Sequence, residues 1–157
     1  MKWLGLLMLA LSPVPALAVK AEVTQQSAET RSVGVGSLGL SVTGQGPLIG
    51  EVRAAVADAI AGLDKFDPIL PYSTQADVQI QINIVSTKSV GSEKRMWWGV
   101  FAGGSKIVAD VTVMDHGTEV DRYQVEVGTK ATSVGGRTDT TASRELGRVV
   151  ASKLRVR

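Results

Sequence analysis

Two segments of the chain carry apolar side chains at the spacing of an amphipathic helix. Between residues 48 and 63 the apolar positions recur every three or four residues and form a single stripe. Residues 139–154 repeat this spacing, and Thr138 or Asp139 is placed to cap the start of the helix. Each predicted helix therefore has one apolar face to bury against another element of the fold.

Other segments alternate apolar and polar residues, which predicts strands with one face on a core and the other in water. The strands predicted in this way are residues 78–84, 105–114 and 118–128. The Asp-His-Gly sequence at 115–117 is suited to a tight turn between the last two strands. Residues 31–43 predict a weaker first strand because glycines interrupt their alternation. Prolines at positions 68 and 71 predict a loop after the first helix.

These elements follow in the order β-α-β-β-β-α, which favours an α+β fold. Two helices with one apolar face each are most economically buried when both pack on the same face of a sheet. We therefore predict a single α+β domain over residues 31–157, with two helices on one face of a mainly antiparallel four-stranded sheet. Residues 19–30 lack a periodic pattern and large apolar side chains, and are predicted to be a flexible lead.

The segment before this lead, residues 1–18, has the three-part pattern of a secretory signal peptide. Lys2 gives a basic start, Trp3–Leu11 is an unbroken apolar run, and Ala-Leu-Ala at 16–18 is a small-x-small cleavage site. The apolar run is well short of the ~20 residues that a membrane-spanning helix needs. We expect cleavage between Ala18 and Val19, and a bacterial protein that works in the periplasm or outside the cell.

The lack of cysteine narrows this expectation. The 157-residue chain contains no cysteine, so no disulfide holds the fold, although an exported protein could form one. A bacterial lipoprotein would carry cysteine directly after the cleavage point, where this chain has Val19. We therefore expect a released protein without a stable membrane anchor. The formal net charge of +2 gives no electrostatic footprint for nucleic acid.

Residue types that carry catalysis or bind cofactors are scarce. The single histidine, His116, falls at the predicted turn, and one histidine without cysteine cannot supply a zinc or copper cluster. Residues 34–39 match the dinucleotide-binding pattern G-x-G-x-x-G, but a strand-like stretch and a Gly-Pro break separate them from the next helix. The acidic residues are scattered along the chain. We therefore predict no catalytic site, no cofactor, no metal site and no enzymatic activity.

An aromatic segment is the most unusual part of the chain after the leader. Arg95, Trp97, Trp98 and Phe101 lie among glycines between two predicted strands. One interpretation places the large rings in the core, where a strand enters the sheet. The other is an exposed loop that docks a protein partner or a membrane interface, where amphipathic tryptophan rings are favoured. This second interpretation predicts partner contacts through the three rings, with Arg95 at the rim.

Several features of residues 77–157 also occur together in one bacterial family. They are an Ala-Asp pair before the alternating strand, Arg95 before a Gly/aromatic stretch, Gly103-Gly104-Ser105 at a strand start, Val113-Met114-Asp115 followed by Gly117, and a closing helix at 139–154. This pattern resembles the envelope family known as domain of unknown function 4410, which is itself similar to accessory folds of the curli-secretion and penicillin-binding-protein-activator type. The resemblance implies the same element order and no catalytic residues. Many proteins of that family are lipoproteins, and this chain lacks the lipid-bearing cysteine.

The sequence therefore favours an exported accessory protein of the cell envelope that acts through protein–protein contacts. Two alternatives stay open. A periplasmic carrier would hold a small molecule or a lipid in an enclosed apolar pocket between the helices and the sheet. A hydrolytic enzyme would have to use His116 as its imidazole catalyst. No feature of the sequence predicts an oligomeric state.

Overall fold

The computed structural model describes residues 19–27, 31–71, 75–88, 104–129 and 138–157. The strands in these ranges are β1 (Val19–Gln25), β2 (Gly36–Gly44), β3 (Phe66–Pro71), β4 (Val78–Lys88), β5 (Lys106–Asp115) and β6 (Thr118–Thr129). The helices are α1 (Ile49–Ala61), between β2 and β3, and α2 (Thr138–Lys153), after β6. The predicted signal peptide at 1–18 lies outside the described residues.

All of these strands belong to one sheet, in the order β1-β6-β5-β4-β2-β3. The pairs β1-β6, β6-β5 and β5-β4 are antiparallel. β2 lies between β4 and β3 and runs parallel to both. Parallel neighbours need a crossover connection, and α1 provides it between β2 and β3. The sheet is therefore mixed, with an antiparallel half and a parallel half.

The prediction of a mainly antiparallel four-stranded sheet is wrong, because the described residues form a mixed sheet of six strands. The α+β class is confirmed, and the two helices do pack on one face. The two strands that were not predicted, β1 and β3, lie at opposite margins of the sheet. β1 occupies part of the predicted flexible lead, and β3 occupies the proline-containing stretch that was predicted as a loop.

β1 and β3 were not predicted because each is ordered by pairing with a neighbouring strand. β1 has small or polar side chains and little tendency to order on its own, but its whole length pairs with β6, which satisfies the backbone hydrogen bonds on that side of the strand. β3 contains two prolines, which exclude a central strand but are compatible with an edge strand. In both cases the neighbouring strand decides the structure, and that neighbour lies far away in the sequence.

One face of the sheet is buried under the helices, and no described helix or strand covers the other. Along β4 the buried residues alternate with half-buried or exposed ones, as the sequence predicts for a strand between a core and water. α1 covers β2 and β3, and α2 covers β6, β1 and β5. Of the described residues, Tyr123 on β6 has the largest fully buried side chain, and this burial raises the pKa of its hydroxyl. The fully buried aliphatic residues include Leu38, Leu40, Val52, Val56, Ile60, Ile80, Ile82, Ile84, Ile107 and Leu146.

The two helices approach closely at a glycine. A Cβ added to Gly147 on α2 would lie 2.5 Å from the carbonyl oxygen of Ala55 on α1. Only a residue without a side chain fits at this distance, so Gly147 sets the spacing between the helices. Val52, Val56 and Ile60 on α1 are fully buried in the layer that this contact helps to close.

Chain direction groups the connections at two ends of the sheet. β2 and β4 finish, and β1, β5, α1 and α2 begin, at the end that we call the upper end. Lys88 and Gly104, the described residues on either side of the aromatic segment, therefore both lie at or near this end. The β5-β6 hairpin, the end of α2 and the start of β2 lie at the opposite, lower end.

Candidate functional site at the open sheet edge

β1 is an outer strand, and within the described residues it pairs on one side only, with β6. Val19, Ala21 and Val23 face the helix layer and are half-buried against the core. Lys20 and Glu22 lie on the open face of the sheet, where their side chains are 79% and 59% exposed and form an ion pair of 2.5 Å between Nζ and Oε1. The edge therefore has an apolar margin on one face and two opposite charges on the other.

The backbone of β1 presents every second residue to the open edge. Gln26 N–H donates to the carbonyl oxygen of Arg122 on β6 at 2.9 Å, whereas Thr129 N–H donates on the other side of β6, away from β1. In an antiparallel pair, the donors and acceptors of successive residues point alternately to the two sides of the strand. The even-numbered residues of β1 therefore bond to β6. The N–H and C=O groups of Ala21 and Val23 point away from β6, in the plane of the sheet and towards its open edge.

A buried carboxylate fastens the lower end of β1. Asp121 on β6 is 3% exposed. Its Oδ1 accepts hydrogen bonds from Gln25 Nε2 and, at 2.7 Å, from Ser27 Oγ. The backbone N–H groups of Gln26 and Ser27 both donate to Arg122 O at 2.9 Å. Because these contacts already order β1, another strand could pair with it at a small further cost in conformational entropy.

β3 forms the other margin of the sheet and is built differently. Its register against β2 shifts between Gly36 and Leu38. Pro68 and Pro71 have no N–H group to donate to another strand. Prolines in an edge strand are a recognised protection against edge-to-edge pairing. The two margins of the sheet are therefore chemically unequal, and β1 is the one equipped for pairing.

The glycine-rich motif and the histidine meet at the lower end of the sheet. Asp77 Oδ2 accepts hydrogen bonds from Ser37 N–H at 2.9 Å and from Ser37 Oγ at 2.8 Å. These two bonds hold the pKa of Asp77 below its ordinary value. His116 N–H donates to the carbonyl oxygen of Asp77 at 2.8 Å. The cluster ties the start of β2 to the start of β4 and to the β5-β6 turn.

Asp115, the residue before His116, adds further polar contacts to this cluster at the lower end of the sheet. Asp115 Oδ2 accepts a hydrogen bond from Gly34 N–H at 3.3 Å and lies 3.7 Å from Arg157 Nη2. The Nδ1 of His116 lies 3.0 Å from Asp115 Oδ1, and the His116 side chain is 71% exposed. In the G-x-G-x-x-G segment, the amides of Gly34 and Ser37 therefore bond to carboxylates of the protein, and they are not free to hold a phosphate. The Ser37 hydroxyl donates to Asp77, so no Ser-His relay forms at this point.

In the part of the chain that the structure describes, two hollows beside α1 open to solvent. One has a volume of about 280 Å³ and is lined by Leu40, Ala54 and Ile69, among others. The second, of about 580 Å³, lies between α1 and α2 and is bordered by Arg144 and Arg148. A ligand carrier is expected to enclose most of its ligand. Neither hollow does so.

The described residues contain no group of three or more His, Asp or Glu side chains placed to hold a metal ion. No helix in those same ranges combines the length and the apolar character that crossing a bilayer requires. Of the predicted site residues, Arg95, Trp97, Trp98 and Phe101 lie outside the described residues, as does Ala18. Val19, predicted to follow the cleavage point, is the first residue of β1.

Sequence reasoning missed β1 as a site, although a weak signal was present. Val19, Ala21 and Val23 alternate with Lys20 and Glu22, which is the period of a strand with two unlike faces. The run is short and contains no large apolar side chain, so its composition resembles that of a disordered lead. Alternation of charge with small aliphatic residues was the feature that could have identified it.

No family model matches the chain, and no curated protein matches it. Solved structures with the same arrangement of strands and helices do exist. A point variant of PelC from Paraburkholderia phytofirmans, solved as a dodecamer, superposes with a TM-score of 0.61 over 88% of this chain and 99% of that chain, at 14% sequence identity. The fold is similar to that of PelC.

A second crystal form of the PelC dodecamer gives a TM-score of 0.59 at 13% identity, again covering 88% of this chain and 99% of PelC. A Xanthomonas campestris protein of the family known as domain of unknown function 330 gives a TM-score of 0.50 at 12% identity, covering 84% of this chain and 87% of that protein. At these identities the likeness to PelC and to the Xanthomonas protein concerns the fold.

Proposed function

We propose that this chain is an exported, non-enzymatic accessory protein of the bacterial envelope that works as an assembly of several copies and docks a protein partner. The observation that carries the proposal is the likeness to PelC, which extends over almost the whole of that chain and concerns a protein solved as a dodecamer. The predicted leader supports export. The resemblance to domain of unknown function 4410 stays a prediction.

The sheet margins support an assembly in physical terms. A strand with unsatisfied N–H and C=O groups on its outer side is a template for another strand. Among the described residues β1 has such an outer side, and Asp121 keeps the strand ordered by accepting hydrogen bonds from Gln25 and Ser27. β3 offers fewer donors because two of its residues are prolines. Growth of the sheet in one direction is therefore favoured over growth in the other.

Partner docking is proposed for the aromatic segment. Trp97, Trp98 and Phe101 combine large apolar area with a polar handle on each indole, and Arg95 precedes them. Aromatic residues and arginine are enriched among residues that dominate binding energy at interfaces. In the sequence the segment lies between β4 and β5, and the described residues that flank it, Lys88 and Gly104, lie at or near the upper end of the sheet.

The assembly is tested by native mass spectrometry of the protein expressed with its own leader and purified after export. We expect a mature chain that begins at Val19 and a mass that is a multiple of that chain. A mass of one copy at micromolar concentration would contradict the proposed assembly. A protein that keeps residues 1–18 and stays in the cytoplasm would contradict the proposed export.

Docking is tested by replacing Trp97 and Trp98 with Ala and comparing which envelope proteins co-purify after cross-linking. We expect the double variant to keep its thermal unfolding temperature and to lose a partner that the wild type retains. Loss of folding in the variant would place these rings in the core and would contradict the docking role.

A further inference from the structure

The outer side of β1 has a pattern of charges that complements itself. Its outward amides and carbonyls belong to odd-numbered residues, so any strand that pairs there must align with Ala21 and Val23. Its open face carries one positive and one negative side chain, two residues apart, at Lys20 and Glu22. A strand that carries the same order of charges along its own sequence and runs antiparallel places each charge opposite one of the other sign, and a second copy of β1 has that order.

We propose that β1 pairs with β1 of a second copy, antiparallel and about a two-fold axis through Ala21. In this register Ala21 lies opposite Ala21 of the second copy, and Val19 lies opposite its Val23. These are hydrogen-bonded pairs that use the outward N–H and C=O groups. Lys20 of each copy lies opposite Glu22 of the other, in the closer, non-hydrogen-bonded pairs. Two ion pairs across the axis result, and the sheets of the two copies become continuous.

Neighbouring registers are disfavoured by like charges. Moving the axis by one residue towards the C-terminus places Glu22 opposite Glu22 of the second copy. Moving it by one residue towards the N-terminus places Lys20 opposite Lys20 of the second copy. Both shifts keep the hydrogen-bonding pattern possible but set equal charges directly across the strands, which is destabilising. The charge order on the open face therefore selects the register at Ala21.

The other face of the strand agrees with this pairing. Val19, Ala21 and Val23 are half-buried beside α2 in the single copy. In the pair, the same residues of the second copy cover their outer sides with aliphatic surface, which removes apolar area from water. Because opposite residues in an antiparallel pair lie on the same face, both helix layers lie on one side of the joined sheet. The contact is isologous, so it builds assemblies with an even number of copies.

The inference rests on the proposed assembly of several copies. Charge reversal on β1 tests the β1 pairing separately from that assembly. Glu22→Lys places lysine opposite lysine twice at the axis, and Lys20→Glu places glutamate opposite glutamate twice. We expect each single variant to weaken association by about ten-fold or more. The double variant Lys20→Glu/Glu22→Lys restores opposite charges and should return the association constant to within a few-fold of the wild type.

A matched charge reversal on the helix layer, Asp58→Lys, serves as the control and should leave association unchanged. Equal association of wild type, Glu22→Lys and Lys20→Glu in native mass spectrometry and analytical ultracentrifugation would overturn the β1 pairing and leave the proposed assembly standing. If the wild-type protein is present as a single copy, both the β1 pairing and the proposed assembly are overturned. A complex of one copy with a different protein, sensitive to Glu22→Lys, would also overturn the self-pairing.

A cysteine scan tests the register directly, because the chain has no cysteine of its own. Ala21→Cys brings two thiols together at about 5.5 Å between Cα atoms, which is within disulfide range. Thr24→Cys, on the same strand and exposed, places them far apart and is the matched control. Under mild oxidation we expect a covalent dimer from Ala21→Cys and none from Thr24→Cys. The reverse result, or no dimer from either, would overturn the register.

Discussion

β1 and β3 bound the same sheet, but their outer backbones differ. β1 is an uninterrupted strand of 7 residues, in register with β6 along its length and fastened by Asp121. β3 has 6 residues, two of which are prolines, and its register against β2 is irregular. A sheet margin is available for pairing when its residues leave outward N–H and C=O groups unbonded. Apolar content alone does not decide it, because β3 carries the larger apolar side chains.

The contrast also assigns different roles to the two halves of the sheet. The parallel half, β4-β2-β3, is covered by α1 and held at its lower end by the bonds between Ser37 and Asp77. The antiparallel half ends in β1, whose outer backbone has no partner strand within the described ranges. We therefore expect changes to the outward backbone groups of β1 to act on association, and changes on β3 to act on folding alone.

The largest effect is expected from proline at a position of β1 that bonds to β6. Thr24→Pro removes an N–H from the ladder, and we expect the free energy of unfolding to fall by about 3 kcal/mol. Ala21→Pro removes an N–H that points outward. We expect the free energy of unfolding of this variant to stay within about 1 kcal/mol of the wild type, and its association to be abolished. Urea unfolding and sedimentation check the two variants together. Equal loss of stability in both would contradict the assigned alternation.

The next effect concerns the fastening of β1. Asp121→Ala removes the acceptor of hydrogen bonds from Gln25 and Ser27, and we expect a loss of about 2 kcal/mol in the free energy of unfolding. Ser27→Ala, which removes one donor, should cost about 1 kcal/mol. Amide hydrogen exchange should quicken along β1 and stay unchanged in β4. Unchanged exchange in β1 would show that the carboxylate does not order the edge.

A smaller effect is expected at the opposite margin. Ile69→Ala on β3 deletes half-buried aliphatic surface against α1, and we expect a loss of about 1 kcal/mol in the free energy of unfolding. Association should stay at the wild-type level, because β3 takes no part in the proposed contact. A fall in association without a fall in stability would move the interface to this margin and contradict the comparison of the two edges.

The smallest effect is a change in pH dependence. Hydrogen bonds from Ser37 lower the pKa of Asp77 in the folded state, so the carboxylate stabilises the fold above its unfolded pKa and loses this effect as the pH falls below about 4. Asp77→Asn removes the titrating group, and the thermal unfolding temperature should then fall less between neutral and acidic pH than in the wild type. An identical fall of the thermal unfolding temperature in both proteins would show that Asp77 does not contribute to the pH dependence of stability.

How far the sequence predicts this molecule depends on where each element obtains its stability. β4 was predictable because its inward face must be apolar and its outward face polar, and this requirement is written into every second residue. The helices were predictable for the same reason at a different period, since Val52, Val56 and Ile60 on α1 are all buried. Local patterning and tertiary burial coincide in these elements.

β1 and β3 could not be predicted in this way, because their order comes from a partner strand. Residues 19–25 are ordered by β6, which lies about a hundred positions further along the chain, and no local rule names that partner. Burial of Asp121 was equally hidden, since a carboxylate in an alternating strand reads as exposed until the donors of Gln25 and Ser27 are known. The candidate site thus lies where sequence patterning carries the least information.

Association through β1 is tested most directly by native mass spectrometry of the exported wild type and of Ala21→Pro at equal concentration. We expect an even number of copies for the wild type and a single folded copy for Ala21→Pro, because this substitution removes the outward N–H of residue 21. An unchanged assembly in Ala21→Pro would contradict association through β1. A single copy in the wild type would contradict association altogether.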